Sequence, residues 1–222
     1  QGSTSSSTRG ITMGAYDAPG TQTGPVDFIT IASQGNAINY GDLSVTRIST
    51  GGTGNSVRAV LMGGQNSSGS AVNTIDFGII ATGGTFTDFG DTTAVRGSKT
   101  VQVSDSHGGL NDGYLGTRIT PIPRGGGAGQ RAIYSTGSNP SYSSDMSFIQ
   151  ISTLGNTTDF GNMTLARYGG SPSSSSTRGL TGGGYTGSAS NVIDYVEIAS
   201  IGNGADFGDL TVARFNIAGG VS

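Results

Sequence analysis

Apolar residues in this chain come in short blocks, separated by runs of Gly, Ser, Thr, Asn and Asp. Blocks such as Val26-Asp27-Phe28-Ile29-Thr30-Ile31 and Ile193-Asp194-Tyr195-Val196-Glu197-Ile198 are rich in β-branched and aromatic residues, the composition of strands. In the first block the apolar side chains fall on both parities, Val26 and Phe28, then Ile29 and Ile31. That suits a strand covered on both faces. No stretch carries a sustained helical period bounded by caps, so the pattern predicts strands and almost no helix.

Aligned on these blocks, the chain repeats four times. Each unit opens on an arginine and an apolar strand ending in small residues: Arg9-Gly10-Ile11-Thr12-Met13-Gly14, Arg58-Ala59-Val60-Leu61-Met62-Gly63-Gly64, Arg131-Ala132-Ile133-Tyr134-Ser135-Thr136-Gly137 and Arg178-Gly179-Leu180-Thr181-Gly182-Gly183-Gly184. The β-rich run follows, at 26–33, 75–82, 146–153 and 193–200. A closing block comes next: Tyr40-Gly41-Asp42, Asp88-Phe89-Gly90-Asp91, Asp159-Phe160-Gly161-Asn162 and Asp206-Phe207-Gly208-Asp209. These blocks run on to Arg47, Arg96, Arg167 and Arg214. The opening arginines lie 49, 73 and 47 residues apart, a period of about 48 with roughly 24 extra residues in one interval.

A unit this small cannot bury its own faces and must stack on a neighbour. Three or four short strands per unit, stacked radially, give an all-β propeller of four blades. The units are expected at approximately 1–50, 51–97, 130–170 and 171–222, within a single repeat domain spanning 1–222. The insertion, 98–129 in the third unit, is expected as a loop or an added hairpin. In the hairpin, Val101-Gln102-Val103 would pair with Arg118-Ile119-Thr120-Pro121-Ile122. The Ser/Thr run before Arg9 matches the one before Arg178, so the stretch after Arg214 leads in phase into the first residues. Ring closure needs this, and a longer array would show it equally. The chain opens on Gln1, which fits a removed leader or a segment of a longer protein.

Composition narrows the function classes. Net charge is -3, with one lysine (Lys99) and ten arginines spread along the chain, so there is no basic stripe for nucleic acid. No apolar run nears the roughly 18 residues of a transmembrane helix, and membrane insertion is not expected. With no cysteine, disulfides, thiolate nucleophiles and Cys-ligated zinc are excluded.

The charged residues follow the repeat. Nine of the 13 aspartates fall in three columns: Asp27, Asp76, Asp194; Asp88, Asp159, Asp206; and Asp42, Asp91, Asp209. Eight of the ten arginines are periodic too. A charge present in every blade serves what every blade needs, turns and ion pairs, whereas catalysis needs one nucleophile and one acid. An oxygen-rich turn is also a calcium ligand type, but turn bonding is the simpler use of these columns. The three Asp-Phe-Gly copies lack the glycine loop, lysine and catalytic loop of a kinase. Gly125-Gly126-Gly127-Ala128-Gly129 precedes a strand and not the helix a phosphate cradle needs. Only Asp17, Asp105, Asp112, Asp145 and Glu197 stand off the columns, and no catalytic spacing links them. No cofactor and no metal site is expected, and the chain reads as a protein that is not an enzyme.

The symmetry breaks in the insertion, and long loops on rigid scaffolds are where binding residues gather. The partner-binding candidates there are His107, the only histidine, with Asn111, Asp112, Tyr114, Arg118 and Arg124.

The glycine doublet after an apolar strand, the aromatic-bearing run and the closing arginine resemble kelch repeats, with the aromatic of Asp-Phe-Gly in place of the kelch tryptophan. Ile193-Asp194-Tyr195, Ile198-Ala199-Ser200 and the run from Asp206 to Arg214 are also similar to tandem repeats of tailed-bacteriophage and aquatic-virus virion proteins. The resemblance implies a structural or host-contacting virion or extracellular surface component. Its partners would be copies of itself, other structural subunits, or a host-surface glycan or protein. The alternatives are a polysaccharide-acting enzyme on a propeller scaffold and a kelch-like interaction adaptor.

Overall fold

The computed structural model describes residues 2–6, 8–16, 22–48, 50–97, 100–105, 131–138 and 140–217. They form no helix, and four small antiparallel sheets are arranged as a four-bladed β-propeller. Blade 1 holds β1 (Gly2–Ser5) and β2 (Arg9–Met13), then, after the ribbon of β3 (Ala15–Tyr16) and β4 (Gln22–Thr23), β5 (Pro25–Thr30) and β6 (Ile38–Asp42). The short β7 (Arg47–Ile48) leads into blade 2, made of β8 (Gly51–Gly54), β9 (Arg58–Met62), β11 (Thr74–Ile79) and β12 (Thr87–Asp91). Within blade 2, β10 (Gln65–Asn66) pairs back with β7. Blade 3 is β13 (Val101–Ser104), β14 (Arg131–Ser135), β15 (Ser143–Gln150) and β16 (Thr158–Arg167). Blade 4 is β17 (Ser171–Ser174), β18 (Arg178–Gly182), β19 (Ser190–Glu197) and β20 (Ala205–Arg214).

The start of the insertion needs correcting, while Arg118-Ile119-Thr120-Pro121-Ile122, the other arm of the expected hairpin, lies outside the described residues. Val101–Ser104 pairs with Arg131–Ser135 as the first strand of blade 3, so that blade lies on both sides of the insertion. All four of its residues are buried. The other first strands read GSTS, GGTG and SPSS, and the apolar VQVS did not share their signature. Asp105 belongs to a column as well. Its carboxylate accepts from Arg131 N at 3.1 Å, as Asn55 accepts from Arg58 N and Ser6 from Arg9 N in their turns.

The core lies between blades, in three clusters. Ile11, Met13, Val26 and Tyr40 of blade 1 meet Leu61, Ile80 and Phe86 of blade 2. Val60, Met62, Ile75 and Phe89 on the opposite face of blade 2 meet Tyr134, Ile149 and Ile151. Ile133, Phe148 and Phe160 meet Val196 and Ile198. Alternating residues of one strand, Ala59 and Leu61 against Val60 and Met62, thus serve two seams, as a strand covered on both faces must.

Each seam uses the same polar devices. The opening arginine lies over its own blade's aromatic and donates to a carbonyl of the next blade. Arg9 stacks on Phe28 at 4.4 Å and reaches Ile80 O at 2.8 Å; Arg58 and Arg131 do the same with Phe77 and Ile151 O, and with Phe148 and Ile198 O. The closing block clasps the next blade's turn: Tyr40 O accepts from Gly84 N, Phe89 O from Gly155 N and Phe160 O from Gly202 N, at 2.7–2.9 Å. Gly41, Gly90 and Gly161 sit at φ +148°, +147° and +136°, and a Cβ there would collide with backbone of the adjoining turn. The closing arginine meets an aspartate of the next blade: Arg47 with Asp76 at 3.1 Å and Arg167 with Asp194 at 3.0 Å, all four side chains fully buried. The middle seam has Ser147 in the aspartate column, so buried Arg96 reaches only the exposed Asp145, at 3.6 Å.

Candidate functional site

His107, Asn111, Asp112, Tyr114, Arg118 and Arg124 all lie outside the described residues, within 106–130. Their anchor points are defined. Asp105 N donates to Arg131 O at 3.3 Å, so the segment leaves and rejoins the blade at one place, between β13 and β14. Strand polarity puts that place at the same end of the ring as the turns Ser5–Arg9, Gly54–Arg58 and Ser174–Arg178.

At the opposite end, where blade 3 joins blade 4, sits a group that sequence reasoning missed: Tyr142, Tyr168, Tyr185 and Phe215. Tyr168 and Tyr185 exchange backbone hydrogen bonds across the seam, and their rings lie 5.5 Å apart. Tyr142 packs on both, at 5.5 and 6.0 Å, and Phe215 caps Tyr185 at 5.1 Å. Tyr142 and Phe215 are exposed. All four stand off the repeat's two aromatic columns, Phe28, Phe77, Phe148, Tyr195 and Tyr40, Phe89, Phe160, Phe207, the one signal by which they could have been found. Exposed rings held against one another form a rigid platform with hydroxyl rims, suited to the C–H face of a sugar or to an aliphatic side chain.

A cavity of about 360 Å³ lies where the four first strands meet. Its wall sets the polar side chains of Ser3, Thr4, Thr53, Gln102 and Ser173 beside apolar Ile11, Phe28 and Val103, and is more apolar than polar. From there it runs out over the face of blade 1, past Asp27, Phe28 and Ile29.

The buried ionisable groups with displaced pKa values are sealed inside seams, while exposed Arg178 is raised by its hydrogen bond to Glu197. Burial lowers Arg47, Arg96 and Arg167 below the ordinary arginine value, and each neighbouring carboxylate only partly offsets this. Burial raises Asp76 against the pull of Arg47 and raises the Tyr134 hydroxyl against that of Arg96. Asp105 is tied in its turn, and the off-column acids are held too: Asp145 near Arg96, and Glu197 to Arg178 Nε at 2.6 Å. Asp17 and Asp112 lie outside the described residues. Among the described residues no cluster of three or more His, Cys, Asp or Glu is placed to hold a metal ion.

No protein-family model matches the chain, and no curated protein matches it.

Proposed function

We propose that this chain is a non-enzymatic structural and binding protein, a virion or cell-surface component that assembles with copies of itself or other subunits. In this reading its loops meet a host-surface glycan or protein. One observation carries the proposal: the buried members of the charged columns, Arg47, Asp76, Arg167 and Asp194, are held in the joints between blades. Displaced pKa values often mark catalytic groups, but structural ion pairs displace them as well. Here Arg47–Asp76 and Arg167–Asp194 are buried with no surface facing a cleft. The glycine doublets, the aromatic of the closing block and the final arginine of each unit support a kelch-like reading, and the wording of the fourth unit supports the viral one.

The test is a glycan array run beside a reducing-end assay on the same polysaccharides. Retention of a subset of glycans without new reducing ends is expected. Tyr142→Ala should weaken retention about tenfold, or about 1.4 kcal/mol, the scale of one lost ring contact. Steady release of reducing ends would put the polysaccharide-acting alternative in its place.

A further inference from the structure

The joint between blade 4 and blade 1 lacks, among the described residues, every device of the other three. Arg178 stacks on Tyr195 at 5.0 Å as its counterparts do, yet its Nε bonds Glu197 of its own blade and the pair is exposed. Gly208 has the clasp conformation, φ +138°, but a Cβ there would meet nothing within 4 Å. Phe207 is 54% exposed where Tyr40 is 5%, and Ile31 is 54% where Ile80 is 1%. Arg214 and Asp27, the fourth closing pair by column, are both exposed.

The two halves of a fourth seam therefore stand open on two faces of one chain. Blade 4 offers a cavity of about 330 Å³ lined by Leu180, Ile193, Leu210 and Val212, with Arg214 at its edge. Ile193 and Leu210 occupy the columns of Val26 and Leu43, which are buried in the first seam. Blade 1 offers Ile29 and Ile31, in the columns of Ile149 and Ile151, with Asp27 beside them. Among the described residues, one face carries a cation and the other an anion that no ion pair holds.

We propose that these faces bind each other between two copies of the chain, blade 4 of one against blade 1 of the next. The joint would repeat the three internal ones: Arg214 to Asp27, Phe207–Gly208 clasping the turn at Gly35, and Arg178 reaching the Ile31 carbonyl. Closure within one chain would require the three formed joints to change angle together. Their cores are close-packed, and packed cores resist continuous deformation. A second copy needs no such change. The contact is heterologous, so repetition gives rings or filaments according to the rotation per copy. This deepens the assembly part of the proposed function and rests on it, while glycan retention and polysaccharide cleavage are read by separate assays.

The test uses sedimentation or light scattering on the full chain and two single variants, Asp27→Arg and Arg214→Asp. Both sites are exposed, so each variant keeps the fold, which circular dichroism verifies. The unmodified chain should gain mass with concentration, and each variant alone should stay monomeric. Their equimolar mixture should regain growth in mass, because Arg214 of the Asp27→Arg chain meets the native Asp27 of the other variant and the two substituted positions form a charge-reversed pair at the alternate contact. Ile31→Glu, on the blade 1 face, should stay monomeric alone, and mixed with Arg214→Asp it should stop at a 1:1 complex of twice the monomer mass, because the reverse contact sets acid against acid. A mixture that stays monomeric overturns the proposal, as does a single variant that associates like the unmodified chain.

Discussion

The middle seam contains an arginine without its partner, and restoring that partner should stabilise the protein. Arg96 is buried, and among the described residues its Nε and Nη1 have no hydrogen-bond acceptor. Among the described residues, the carboxylate it reaches is that of Asp145, 3.6 Å away and 61% exposed. In the neighbouring seams the equivalent aspartate also takes a hydroxyl hydrogen bond, from Ser44 to Asp76 at 2.6 Å and from Thr164 to Asp194 at 2.5 Å. Thr93 occupies the hydroxyl column here, and the Ser147 hydroxyl is buried and unpartnered. Ser147→Asp would therefore find both a guanidinium and a hydroxyl waiting.

Breaking a buried pair typically costs about 3–5 kcal/mol. The gain from completing one is smaller, because the new carboxylate must itself be desolvated. Burial holds Asp76 above its ordinary pKa even beside Arg47, which shows how large that cost is. Charge-assisted bonds of about 1.5–3 kcal/mol each, less this penalty, leave a net gain of about 1–2 kcal/mol. For a chain of this size that raises Tm by about 2–8 °C. Calorimetry or urea titration at pH 7 measures it, with Ser147→Asn as the uncharged control. An unchanged or lowered Tm in Ser147→Asp would refute the account of these columns as seam partners. The reverse change, Asp194→Ser, should cost about 3–5 kcal/mol by leaving Arg167 unpaired.

Two further outcomes are expected. Gly161→Ala and Gly208→Ala impose the same backbone strain, about 1–3 kcal/mol, but only at Gly161 would the new Cβ also meet a carbonyl, that of Gly202 at 2.5 Å. Gly161→Ala should thus lower the urea midpoint distinctly more than Gly208→Ala; equal losses would remove the clasp. Replacing 106–130 with a three-residue turn should leave the β-sheet circular dichroism intact while weakening glycan or cell-surface retention. The cut must start after Asp105, since β13 is part of the blade.

Much of the architecture was legible because a repeat states the same physical problem four times. The β-branched runs, the glycines before the second run and the Tyr40, Phe89, Phe160, Phe207 column all mark places where strands stack or backbones crowd. The columns marked Asp76 and Arg47 as structural, yet a column is identical for every blade and names no partner. Only the register shows that Arg47 crosses to the next blade to reach Asp76. For the same reason β13 was unreadable: its VQVS kept the strand and lost the repeat's wording.

What the amino acids determined alone is the strand period, the four-fold copying and the absence of a helical pattern, all of which follow from local sterics and from the burial each strand requires. The tertiary structure decided which copies touch. It gathered Tyr142, Tyr168, Tyr185 and Phe215 from four separate segments, and it left Phe207 and Ile31 bare while burying their counterparts. Identical residues thus end up as core in three joints and as surface in the fourth, because burial belongs to the neighbour a residue meets and not to the residue itself.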